Sequence, residues 1–188
     1  MICGETVAVF RGRSEIGPRA LGNRSLLALP HPVGMRDHIN LNVKSRESFR
    51  PLAPVVPIEH LPTYFEGVEE SPFMLLVATV RADVRDQLPA VTHVDGTARV
   101  QTVRREDNPF LHRLLNLVGD STGVPVLLNT SLNLRGEPIV EMPDDAVAMF
   151  LRCPIDMLVL EDRVARKHSP WATPSFISSD ARLARTSR

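Results

Sequence analysis

Apolar and polar residues fall in short blocks along this chain, and the period changes from block to block. Residues 5–11 and 25–29 are brief apolar runs that read as strands, separated by a loop rich in glycine and arginine. Met35, Ile39 and Val43 stand four apart, the spacing of one helix face over 35–43. Residues 52–58 are apolar, but Pro51, Pro54 and Pro57 argue against a helix or a central strand and leave an edge strand. Residues 59–66 suit a short helix. Residues 73–80 form a continuous run of β-formers and read as a buried strand. Two apolar runs, 91–94 and 98–103, flank Asp95-Gly96-Thr97 as a turn or hairpin would. A helix is predicted over 108–119, with Asn108 as N-cap, Pro109 at its first position and Gly119 near its end. A strand over 124–128 runs into the polar loop Asn129-Thr130-Ser131-Leu132-Asn133. A helix over 143–151 carries Asp144 and Asp145 in its first turn, and 157–160 reads as a last strand.

Strands and helices mix without regular alternation. The fold class is therefore α/β (α+β): one domain, a twisted mixed β-sheet with flanking helices. After Lys167 the composition shifts to Ser, Pro, Ala, Thr and Arg, so the domain is placed at 1–167 and a flexible tail at 168–188.

Composition narrows the function classes. A chain of 188 residues suits one domain and buries about 70% of its unfolded surface, so it needs no disulfide or metal staple. The 22 basic and 22 acidic residues cancel, which argues against a general polyanion binder and against DNA as partner. Cys3 and Cys153 show no metal spacing. No apolar run reaches membrane-spanning length and residues 1–10 do not read as a signal peptide, so a cytoplasmic protein away from membranes is expected. All but two of the basic residues are arginine, the exceptions being Lys44 and Lys167. Coding bias explains such a ratio; arginine forks that grip phosphates and carboxylates also explain it, and position decides between them.

Four segments concentrate polar groups at element ends. Residues 12–25 combine glycines with Arg13, Arg19 and Arg24; the loop is either a tight turn with surface arginines or an anion cradle, and it is not a P-loop. Lys44, Arg46 and Arg50 form a second group. In an extended segment Lys44 and Arg46 face one side, and three neighbouring cations call for an anion such as phosphate unless they form a solvated basic surface. The third segment, His93-Val94-Asp95-Gly96-Thr97-Ala98-Arg99, is either a hairpin turn or a set of ligand contacts; it has no third residue for a metal site. The fourth, 129–133, either caps the next element or offers amides and hydroxyls to a nucleotide, with Ser131 and Asn133 two apart.

Taken in order, Gly12-Arg13-Ser14-Glu15…Gly17-Pro18-Arg19-Ala20-Leu21-Gly22-Asn23-Arg24-Ser25, Val43-Lys44-Ser45-Arg46-Glu47…Phe49-Arg50-Pro51, Thr92-His93-Val94-Asp95-Gly96-Thr97-Ala98-Arg99-Val100-Gln101 and Gly123-Val124-Pro125-Val126-Leu127-Leu128-Asn129-Thr130-Ser131-Leu132-Asn133 resemble the C-terminal domain of nodulation- and antibiotic-type O-carbamoyltransferases. The resemblance runs from about residue 8 to 165. It implies the fold of threonylcarbamoyl adenylate synthases, whose KxR…SxN signature is matched by Lys44-Ser45-Arg46 and Ser131-Leu132-Asn133.

In that family this domain is where carbamoyl phosphate and ATP give carbamoyl adenylate. The resemblance thus implies Lys44, Arg46, Arg50 and Arg99 as catalytic residues. It implies Arg19, Asn23, Arg24, His93, Asp95, Thr97, Asn129, Thr130, Ser131 and Asn133 as substrate- and nucleotide-binding. Mg²⁺ is expected to arrive with ATP, and no residue is assigned to a metal. Iron belongs to a larger N-terminal domain that this sequence lacks, as it lacks an HxxxH pair. A separate transferase subunit or domain is therefore the expected partner, and a homodimer is a further expectation. Cys153 reads as structural. Two rival readings remain: a nucleotide-binding accessory subunit without its own turnover, and a threonylcarbamoyl adenylate synthase for tRNA modification.

Overall fold

The computed structural model describes residues 4–167 and the backbone of 175–178. In chain order its elements are β1 (Val7–Phe10), β2 (Arg24–Ala28), α1 (Met35–Asp37), β3 (Ala53–Pro57), α2 (Leu61–Tyr64), β4 (Phe65–Glu66), β5 (Val77–Val80), β6 (Thr97–Arg99), β7 (Gln101–Val103), α3 (Pro109–Thr122), β8 (Leu127–Ser131), α4 (Pro143–Arg152), β9 (Met157–Leu160), β10 (Arg163–Arg166) and β11 (Ser175–Ser178). An eight-stranded sheet runs β11-β10-β9-β1-β2-β8-β3-β7, and β4-β5-β6 form a smaller one. The large sheet is mixed: β1 with β9 and β3 with β7 are parallel, and the other neighbours are antiparallel.

The centre of the large sheet is buried on both faces. Every residue of β1 and β2 is buried, with alternate side chains entering different layers. Val7, Val9, Leu27, Val55 and Leu127 join one apolar cluster with Leu111, Leu115 and Val118 of α3. Ala8, Phe10, Leu26, Val56 and Leu128 join the other, with α4 and the smaller sheet. Asn108 caps α3 by accepting from the Leu111 amide at 2.9 Å. Gly123, with φ of 79°, closes α3 in the left-handed conformation, four residues beyond the predicted end.

Several predicted elements differ from those observed. β3 is an interior strand, not an edge, because its neighbours overlap only at Val55. Pro54 lies opposite Leu128 of β8 alone and Pro57 opposite Val103 of β7 alone, so no proline has to serve two ladders. The predicted buried strand over 73–80 shrinks to β5, which alternates exposed and buried; Phe73, Leu75 and Leu76 face solvent. The segment read as a hairpin is divided between two sheets, β6 pairing with β5 and β7 with β3, while 91–94 forms no strand. β8 begins later than predicted and reaches Ser131, so Asn129 and Thr130 are strand residues. The 35–43 helix continues after α1 as a π-helical turn, His38–Val43. Strand β10 had no prediction. Of the expected tail, 168–174 and 179–188 lie outside the described residues, and the backbone of β11 pairs antiparallel with β10.

Candidate active site

The π-helical turn delivers the site lysine. The Lys44 amide closes on the Ile39 carbonyl at 2.9 Å, and Ser45 then takes φ of 49°, in the left-handed region. The predicted extended segment is thus a tight reversal. It sends Lys44 inward and lays Arg46 along a neighbouring cleft.

Lys44 is buried, 3% exposed, and its ammonium meets four oxygens: Ser131 O at 2.6 Å, Asn133 Oδ1 at 2.9 Å, and Ser131 Oγ and Asn133 O at 3.3 Å. Ser131 Oγ donates to Asn133 Oδ1 at 2.7 Å. The KxR and SxN segments are therefore one unit, with the lysine as its hub. Burial, and next the nearby Arg46, push the Lys44 pKa down to about 7, while the four oxygens favour the charged form.

Beside this unit lies a polar cavity of ≈ 100 Å³ whose lining includes Arg19, Arg46, Arg99, Met74, Asn129, Thr130 and Ser131. No carboxylate lines it. The Nε atoms of Arg19 and Arg99 are buried without a hydrogen-bond partner. Burial and then the Arg19 charge lower the Arg99 pKa; burial and then Arg50 lower that of Arg46, against Glu47. Three guanidinium groups facing one acid-free cavity repel one another unless an anion sits between them.

The supporting residues include several that carry no sequence signature. Buried Asn40, on the π-helical turn, accepts from Arg46 Nε at 2.8 Å and donates to the Ser48 and Arg50 carbonyls, which aims the guanidinium. Asn129 donates to the Ala20 carbonyl at 3.1 Å and to Gln101 Oε1 at 2.7 Å, and Gln101 donates to the Leu21 carbonyl at 2.8 Å. Glu15 accepts from the Leu21 and Asn23 amides, both at 2.7 Å. Together these bonds seat Arg19 at the cavity. Gly22 allows the loop to approach α3, because at φ of 126° a Cβ there would stand 2.7 Å from Leu111 Cδ2. Met74, at φ of 55°, turns inward, and its sulfur lies 3.9 Å from an Arg99 Nη2. Asn129 is expected from its segment, whereas Asn40 and Met74 lie outside the four polar segments and are defined by partners 6 to 25 residues away.

The remaining expected residues divide. Thr130 and Asn129 line the cavity, and Asn133 lines an adjoining one of ≈ 390 Å³ that shares Pro18 and Ser131 with it. His93 lines a third, of ≈ 190 Å³, that shares Pro51 and Leu52. Asp95 and Thr97 bond to each other next to His93. Arg50, Asn23 and Arg24 line none of these three cavities. Arg50 pairs with Glu47 at 2.9 Å. Asn23 donates to the Arg13 carbonyl. Arg24 is buried over the Phe10 ring at 3.5 Å, with its Nη atoms donating to the Arg11, Gly12 and Asn23 carbonyls. A larger cavity of ≈ 410 Å³, lined by Leu29, His31, Val124 and others, shares no residue with the arginine cavity and is mostly apolar. Charge therefore places the chemistry at the smaller one.

Among the described residues no group of three His, Cys, Asp or Glu side chains stands ready for a metal ion. The arginine cavity offers cations and amides, a donor set that does not fit directly bound Mg²⁺. Cys153 is free and buried, and Cys3 lies outside the described residues. No helix among the described residues is long and apolar enough to cross a membrane.

The family model described as carbamoyltransferase C-terminus matches residues 1–167. The chain belongs to that family. It is 46% identical over 170 residues to the nodulation protein NolO of Bradyrhizobium diazoefficiens, covering 89% of this chain and 31% of NolO. It is 51% identical over 144 residues to the 3'-hydroxymethylcephem-O-carbamoyltransferase of Amycolatopsis lactamdurans, covering 77% of this chain and 27% of that enzyme. The nodulation protein NolNO of Sinorhizobium fredii is 48% identical over 169 residues, covering 88% of this chain and 25% of its own length. The chain thus spans a quarter to a third of these curated relatives. As a carbamoyltransferase C-terminal domain it keeps all four polar segments inside the matched region.

Proposed function

We propose that this domain activates carbamoyl phosphate with ATP, forming carbamoyl adenylate for transfer to a hydroxyl elsewhere. The observation that carries the reading is the acid-free cavity with three converging guanidinium groups, two of them with an unpartnered buried Nε. Carbamoyl phosphate and ATP bring roughly six negative charges together, and phosphoryl transfer is mainly a problem of neutralising and aligning such charges. Arg19, Arg46 and Arg99 do both as fixed forks in a partly dry site.

The step balances when the mixed carbamic–phosphoric anhydride of carbamoyl phosphate is cleaved by water, releasing phosphate and leaving carbamate. A carbamate oxygen then bonds to the α-phosphorus of ATP as the α–β anhydride bond breaks and pyrophosphate leaves. Lys44 holds Ser131 and Asn133 together and so fixes the end of the strand that borders the arginine cavity. Mg²⁺ would arrive bound to ATP and would screen phosphate charge there, with no residue of this cavity assigned to hold it.

The test is pyrophosphate release that depends on carbamoyl phosphate. Arg46→Ala, Arg99→Ala and Lys44→Ala should each lose most of it, and unchanged turnover in all three would overturn the assignment. A second reading is a nucleotide-binding accessory subunit without turnover of its own, which acts only with a transferase partner. Tight ATP binding without pyrophosphate, restored by adding that partner, would identify it. A requirement for threonine and bicarbonate in place of carbamoyl phosphate would instead indicate a threonylcarbamoyl adenylate synthase.

A further inference from the structure

His93 carries a polar atom that the fold leaves without a partner. Asp95 Oδ1 accepts from the Thr97 amide at 3.0 Å and from Thr97 Oγ1 at 2.7 Å. These bonds hold the Asp95 carboxyl below its usual range, so it is ionised and can only accept. The single hydroxyl proton of Thr97 is therefore directed at Asp95. The oxygen that faces His93 Nδ1 at 3.2 Å can only accept, which places the imidazole proton on Nδ1. In the neutral ring Nε2 is then a bare acceptor. It is buried, and no group among the described residues bonds to it. Burial favours the neutral ring, Asp95 opposes that, and Arg99 supports it.

The position of this acceptor matters. Thr97 and Arg99 stand two apart on β6, so both face one side of the strand, while Ala98 between them is buried. His93 lines the ≈ 190 Å³ cavity that shares Pro51 and Leu52 with the arginine cavity. Phe49 and Val94 supply its apolar walls. The acceptor thus belongs to a side chain that lines a cavity adjoining the arginine cavity.

We propose that His93 Nε2 is a specificity determinant that accepts a hydrogen bond from an –NH₂ group of the phosphate-bearing ligand. The inference rests on the proposed carbamoyl phosphate and ATP chemistry, and both substrates carry such a group. It is the carbamoyl amide in one and the exocyclic amine of adenine in the other. A site with a desolvated acceptor rejects an analogue that lacks the donor, because the acceptor is then left buried and unpaired.

The experiment compares dissociation constants within two pairs on the full chain. Acetyl phosphate replaces the carbamoyl amide by a methyl group, and ITP replaces the adenine amine by a carbonyl. Wild type should bind one member of a pair at least about tenfold more weakly. Discrimination in the first pair assigns the contact to the carbamoyl group, and in the second to adenine. His93→Ala should bring that ratio within about threefold, and His93→Gln, which keeps an acceptor, should restore part of it. Thr97→Val, which keeps the ring but frees its tautomer, should lower the ratio without removing it. Thermal melting confirms that each variant is folded. Equal affinities within both pairs in wild type, or a ratio unchanged in His93→Ala, overturn the proposal while leaving the activation chemistry standing. Absence of binding by carbamoyl phosphate and ATP alike overturns both.

Discussion

Lys44 and Asn133 stand 89 residues apart in sequence, yet the lysine ammonium lies 2.9 Å from the Asn133 side-chain oxygen. The contact joins the π-helical turn before β3 to the loop after β8. It makes the conformation of the loop after β8 depend on one buried cation.

That dependence has a pH signature. The folded-state pKa of Lys44 is lowered to about 7 from the ordinary 10.5, so between these values the unfolded chain binds more protons than the folded one. Stability of the unliganded protein should therefore rise with pH through this window, on the order of 2 kcal/mol between pH 7 and 9. Urea midpoints for wild type and Lys44→Met at the two pH values check it. The rise should shrink strongly in the variant, in which, among the described residues, only the partly buried Lys167 keeps a lowered amine pKa.

Ligand binding should act on the same proton. An anion beside Arg46 offsets the charge that disfavours protonated Lys44, so binding of inorganic phosphate near pH 8 should take up a proton. Calorimetry in two buffers of different ionisation enthalpy measures the uptake. Identical apparent enthalpies would contradict it.

The arginine cavity trades apo stability for anion affinity. Arg99→Met removes one of three mutually repelling cations and keeps an apolar stem against Met74. Its unfolding free energy should stay within about 0.5 kcal/mol of wild type. Phosphate affinity should fall at least about tenfold, the loss of one charge-assisted contact. Parallel denaturation and binding titrations separate the two effects.

Arg24 should behave in the opposite way. Its guanidinium satisfies the Arg11, Gly12 and Asn23 carbonyls and covers the Phe10 ring. Arg24→Ala leaves these groups unpaired and should cost about 2–4 kcal/mol, whereas a lysine there cannot reproduce the planar fork. Chemical denaturation of the Ala and Lys variants checks the order wild type, Lys, Ala.

Gly22 and Gly17 share φ of 126°, but only Gly22 has a neighbour, Leu111 Cδ2, within reach of an added Cβ. Gly17→Ala should cost only backbone strain, about 1–2 kcal/mol, and Gly22→Ala clearly more, because the loop must leave α3. Comparison of the two urea midpoints isolates the packing part.

Legibility from sequence followed the range of the forces involved. The α3 helix was readable because Asn108, Pro109 and its apolar positions act within a few turns, and only its C-cap moved, to Gly123. The strand β3 was misplaced at an edge because proline restricts one residue locally, while tolerance depends on where two distant neighbours overlap. The run 73–77 looked buried because hydrophobicity carries no record of facing; the left-handed Met74 turns one side chain in and leaves Phe73 and Leu75 out. Arg24 and Arg50 read as ligand-binding arginines from their motif positions, yet one supports backbone carbonyls and the other an exposed glutamate.

The sequence by itself determined the mixed α/β class, the family and the four segments that border the site, because turn chemistry, period and motif are local properties of the chain. Only the tertiary structure decided which cations share a cavity, that Lys44 binds the Ser131–Asn133 unit, and which nitrogen of His93 carries the proton. Those outcomes rest on burial and on partners 80 or more residues away for Lys44 and Gln101, and dielectric environment is a property of the folded state alone.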